Sequence, residues 1–117
     1  MNLRESIIAA NDLKRESVEV PEWGVTVYVR TMTGEERDQY EEETYKFNGD
    51  DVEVNRKNLR ARLVTKTLCD EIGVRLFADS EMPAIAAKSS AAIDRVFEVA
   101  SRLNGLTKKD EESLAKN

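Results

Sequence analysis

The stretch VEVPEWGVTVYVRTMTGEERDQYE, residues 18–41, decides how the chain folds. Within it Val25, Val27 and Val29 alternate with Thr26, Tyr28 and Arg30, the period of a strand with one buried face. A partner strand reads over residues 17–20. Pro21, Glu22, Trp23 and Gly24 connect the two, proline setting the φ of a turn and glycine supplying a positive φ where one is needed. Two strands alone are marginal, so this hairpin has to pack on helices or gain a third strand. Immediately afterwards Thr33 opens a helix with a capping box, because Glu36 stands where its side chain can return to the amide of the cap. Glu35 and Glu36 in the first turn also suit the positive end of the helix dipole.

Working outward, residues 2–10 predict a short helix with Leu3, Ile7 and Ile8 on one side, ending near Asn11 and serving as an arm or a lid. Downstream of Thr33, the acidic residues Glu35, Glu36, Asp38, Glu41, Glu42 and Glu43 surround a thin, less polar stripe of Tyr40, Thr44 and Phe47. A solvated face is expected there in preference to a site for a metal or a basic partner. The following NGDDVEVN, residues 48–55, lacks the oxygen spacing and terminal glutamate of a calcium loop and reads as a flexible connection.

Residues 55–72 predict the longest helix. Ala61, Val64, Leu68 and Ile72 share one arc, and Leu59 and Leu63 fall nearly opposite. Two apolar stripes require two neighbours: one faces the core, and the other meets either a further element of this chain or a partner. Gly73 stops this helix, and VRLF, residues 74–77, is the expected third strand beside the hairpin. Asp79 or Ser80 caps a short helix ending around Lys88. Residues 89–104 form an amphipathic helix with Ala92, Ile93, Val96, Phe97, Val99, Ala100 and Leu103 on one face, stopped by Gly105. The expected fold class is therefore α+β, mostly helical with a small antiparallel β-sheet built around an N-terminal hairpin. It occupies a single domain over residues 1–105, and residues 106–117 form a flexible charged C-terminal tail.

With 117 residues the chain has room for one modest core, and a net charge of −5 repels phosphate backbones and anionic membranes. Nucleic acid and membrane are therefore not expected partners. The chain has no histidine, which removes the usual general base and the commonest metal ligand, and its one cysteine, Cys69, reads as a small buried hydrophobe. The basic residues Arg56, Lys57, Arg60, Arg62 and Lys66 spread around a helix axis without aromatic interleaving, as pairing with the acidic helix requires and nucleic-acid contact does not. No catalytic, cofactor or metal residues are assigned, and the chain is not expected to be an enzyme.

Four segments in order, VEVPEWGVTVYVR, TMTGEERDQYE, NLRARLVTKTLCDEIGVRLFADSE and AAIDRVFEVASRLNGLTKKDEESLAKN, together resemble the tail assembly chaperones of long-tailed, lambda-like siphophages. The resemblance spans nearly the whole chain, and after the hairpin the helix ending in RLNGL carries most of it. It implies a protein of the host cell cytoplasm, absent from the mature virion, that binds and solubilises the phage tape measure protein and promotes tail tube polymerisation around it. It further implies that this is the short form, with a longer form made by programmed ribosomal frameshifting and meeting the tail tube protein through its extension. Lys108-Lys109 and Lys116-Asn117 are compatible with slippery adenine-rich codons.

Leu59 and Leu63 on the second stripe and Trp23 at the hairpin tip are the candidate partner-binding residues, since amphipathic helix-in-groove contacts bind without any catalytic group. For Trp23 the competing reading is an indole folded back on the hairpin or core. The hairpin's free edge also offers strand addition to a second copy, which would make a homo-oligomer. The alternative function is a structural virion component, such as a head-tail connector or tail completion protein.

Overall fold

The computed structural model describes residues 1–106. The elements run α1 (Leu3–Ala9), β1 (Arg15–Val20), β2 (Val25–Arg30), α2 (Gly34–Thr44), β3 (Tyr45–Asn48), β4 (Asp51–Val54), α3 (Leu59–Thr67), β5 (Leu68–Cys69), α4 (Met82–Ala86) and α5 (Ser90–Leu103). The fold is α+β, with α3 and α5 packed on a three-stranded antiparallel sheet of order β1-β2-β5. Val18↔Val27 and Val20↔Val25 fix the hairpin register and Val29↔Leu68 brings in the third strand. Val18, Val20, Val29 and Leu68 thereby reach a core completed by Leu63, Val64, Ile85, Ala92, Val96 and Ala100. The hairpin connection is a 3-10 turn, Pro21–Trp23, closed by Gly24 at φ 66°, a left-handed conformation that suits glycine.

The third strand comes from a different segment than the one expected. α3 begins at Leu59 and ends at Thr67, so the helix is half the anticipated length and Leu68–Cys69 turns into the sheet. At its start Asn58 adopts a left-handed φ of 53°, and the Arg62 guanidinium donates to the carbonyls of Lys57 and Asn55, which takes residues 55–58 out of the helix. At its end the Thr65 and Thr67 hydroxyls donate to the carbonyls of Ala61 and Leu63, a back-bonding that weakens helix continuation. Leu68 and Cys69 gain more by pairing with β2. Residues 74–77 return from a tight turn instead of forming a full strand: Asp70 Oδ1 accepts from the amides of Ile72 and Val74, and only Arg75 bridges to Cys69. Ile72, expected on the core stripe, is consequently exposed.

Residues 48–55 are also more ordered than a flexible connection. β3 and β4 pair from Tyr45↔Val54 to Asn48↔Asp51, with Gly49 at φ 63° first in the two-residue turn. Phe47 sits in this hairpin and is exposed, while Tyr40 and Thr44 of the α2 stripe are buried.

Two polar devices hold the helices to the sheet. The α2 capping box forms as expected, Thr33 Oγ1 accepting from the Glu36 amide and Glu36 Oε1 from the Thr33 amide. Glu36 does not lie on a solvated face: its other oxygen meets Arg30 at 2.9 Å and Arg75 at 3.3 Å. Arg75 continues to Asp79 at 2.7 Å, and Asp79 to Lys66 at 3.1 Å, so one chain of charges joins β2, α2, α3 and the approach to α4. Lys66 is 2% exposed and depends on that contact, since its other carboxylate, Glu43, lies at 3.9 Å.

The second device is the end of α5. Gly105 at φ 67° and the bonds Gly105 N–H to Arg102 O and Leu106 N–H to Ser101 O make a Schellman motif. Leu106 is buried in the core, so the folded unit extends one residue past the expected boundary. The rest of the expected tail, residues 107–117, lies outside the described residues. Asn104 serves as a staple: Oδ1 accepts from the Met32 amide at 2.8 Å, Nδ2 donates to the carbonyl of Ala100, and its own carbonyl accepts from Arg37 at 2.7 Å.

Candidate partner-binding groove

α3 is the central helix, touching α5, α4, α2 and β2. Both of its apolar stripes are consequently covered along most of their length, the first alternative that the sequence left open. Leu63 is 0% exposed and belongs to the core between these neighbours, so it meets no partner while the domain is folded. Leu59, a turn earlier, emerges at the helix end. There α3 and α5 diverge and leave a groove of about 1000 Å³ whose apolar surface comes from Leu59, Ala61, Ile93, Phe97 and Leu106.

The groove has charged walls. Arg56 and Arg60 stand on the α3 side, Asp94 and Glu98 on the α5 side, and an exposed Arg60–Asp94 ion pair of 3.1 Å joins them. Arg102 closes one end, tied at 2.8 Å to Glu16 of β1. Among the described residues Arg56 and Glu98 enter no ion pair, and Ser101 Oγ, buried at the groove lining, makes no hydrogen bond. The α5 contribution was read from the sequence as a core face. Ile93 and Phe97 lie at the edge of that face and line the groove, Ile93 buried in the core and Phe97 half-buried against it.

Trp23 does not line the groove. Its indole is half-buried and packs against the core, and the turn that carries it is held by Glu22, whose carboxylate accepts from Arg95 Nε at 2.8 Å. The hydrogen bond from Arg95, helped by its charge, keeps the Glu22 carboxyl below its ordinary range. Trp23 and Leu59 are thus not brought together. Cys69 is buried, and desolvation pushes its thiol up, away from the reactive thiolate. Among the described residues no cluster of three or more metal-ligating side chains forms, and no helix is long and apolar enough to cross a membrane.

The fold and groove define a class, a small α+β domain whose central helix is sheathed by its own chain except at one open end. The comparisons give the family. The model for phage tail assembly chaperones matches residues 2–117, and the chain belongs to that family. Its fold is similar to that of the tail assembly chaperone of bacteriophage HK97, with a TM-score of 0.59 over 86% of this chain and 95% of that one, at 21% identity. No curated protein matches the chain.

Proposed function

We propose that this chaperone binds helical segments of the phage tape measure protein in the α3–α5 groove, keeps that protein soluble in the host cytoplasm, and promotes tail tube polymerisation around it. The observation that carries the reading is the groove itself, an open apolar surface on helices with walls of both charges, which suits an amphipathic helix laid between them. Leu59 is the contact residue in the groove and Leu63 supports it from beneath, while the exposed edge of Trp23 is a separate contact outside the groove. The action is non-catalytic. The tail tube protein is met through a frameshifted longer form, and the protein leaves before the virion is complete.

Co-expression with the long helical protein encoded just downstream tests this. The expected result is a soluble client that co-elutes with the chaperone, and a Leu59→Glu variant that folds but loses the complex. An insoluble client, with this chain found in finished particles, would establish the structural-component reading in its place.

A further inference from the structure

The α3–α5 groove is also where the described residues end. Ser90, Ile93, Phe97 and Ser101 line it at steps of three and four residues, so it follows one face of α5 for about 17 Å. Leu106, the last described residue, lines its end. Gly105 in its left-handed conformation turns the chain off the helix axis, and the Leu106 amide donates to the Ser101 carbonyl at 2.7 Å, which sets Leu106 beside Ser101. Whatever follows Leu106 therefore starts at the groove.

Two groups on this face of α5 lack partners among the described residues. Ser101 is 8% exposed and its hydroxyl has no hydrogen bond, whereas a buried hydroxyl ordinarily finds one. Glu98, nearly one turn earlier, enters no ion pair. The eleven residues after Leu106, TKKDEESLAKN, carry complementary groups in a matching order. At roughly 3.3 Å per extended residue, Lys109 reaches about 10 Å from Leu106, and Glu98 lies about 12 Å back along α5. Leu114 reaches about 26 Å, more than the ~20 Å from Leu106 back to Ile93. The two adjacent lysines thus meet Glu98 first, and the acidic residues 110–112 come next, alongside Arg60 and Arg56. Leu114, the one large apolar side chain of the segment, arrives where Ile93 and Leu59 line the groove.

We propose that residues 107–117 fold back along α5 and cap the groove of their own chain, with Lys109 against Glu98 and Leu114 on Ile93 and Leu59. A backbone carbonyl of residues 107–109 accepts from Ser101 Oγ. The proposal rests on the reading of the groove as a helix-binding surface and adds its regulation: the tail holds the groove until a client displaces it. A tethered segment acts at an effective concentration of ~1 mM, so a tail contact with a dissociation constant of about 0.1 mM already weakens client binding about tenfold.

A nitroxide on Asn117→Cys in the full chain tests the contact with no client present. Cys69 is buried with its thiol pushed up, and so stays unlabelled. The expected result is paramagnetic broadening of the amides of Leu59, Ile93 and Phe97 that does not change with protein concentration. Leu114→Glu should remove most of it, as should Lys108→Glu/Lys109→Glu, and adding Glu98→Lys to the latter should restore it. Broadening that is absent, that falls on another face or that grows with concentration overturns the proposal. So does broadening that survives Leu114→Glu. Where the client of the co-expression experiment binds, Leu114→Glu should tighten its binding about tenfold, and an unchanged affinity overturns the competition. A client that binds neither chain refutes the proposed function alone, because the nitroxide reads the tail independently of it.

Discussion

Asn104 shows what a single residue adds beyond its place in a helix. Its position before Gly105 marks a helix stop in any sequence, but its side chain also satisfies the buried Met32 amide and fixes α5 to the junction of β2 and α2. Asn104→Ala should cost about 1–3 kcal/mol, because the Met32 N–H is left without a partner, and urea denaturation would measure it. Lys66 and Asp79 make a second case. Removing the carboxylate leaves a buried ammonium with only a distant partner, so Asp79→Ala should destabilise more than Lys66→Met, with about 1–3 kcal/mol between wild type and the former. Burial pushes the Asp79 carboxyl up, but hydrogen bonds from Arg75 and Lys66 and their charges outweigh it and hold it below its ordinary value of 3.8. The unfolded chain therefore takes up the proton first as pH falls. The stability due to this carboxylate is complete well above pH 3.8 and is lost as pH drops below it towards the folded value. Measured against pH, the stability gap between wild type and Asp79→Asn should be flat near neutrality and close in acid.

At the scale of elements, periodicity located the hairpin, α2 and α5, because each buries one face and each has its stop or cap written in a few local residues. The Thr33 cap belongs here: Thr33→Ala should cost about 1 kcal/mol of stability. α3 was less legible. Its two apolar stripes told that it has neighbours on both sides, yet its length depended on Leu68 and Cys69 joining β2, a competition between helix and sheet that no local window contains. The β3–β4 turn had a local signal, Gly49-Asp50, which the acidic residues around it obscured. α3 also separates the candidate residues. Leu63→Ala should cost about 2–5 kcal/mol by opening a cavity, whereas Leu59→Ala should cost clearly less and act on partner binding.

For the whole molecule, the core joins the β1-β2-β5 sheet to α3, α4 and α5, and α1 stands apart from it. Hydrogen exchange at low protein concentration should find the amides of Leu63 and Val64 protected to near the global limit and those of α1 exchanging as in an open peptide. Strand alternation, helical periodicity and caps determined the α+β class and the order of most elements, since these follow from each residue's near neighbours, and the order of four sequence segments carried the family resemblance. Tertiary structure alone decided which segment became the third strand, that Leu63 was sealed while Leu59 stayed open, and that a groove formed where α3 ended. Those outcomes turn on which distant surfaces exclude water together, and burial is shared among residues far apart in the chain.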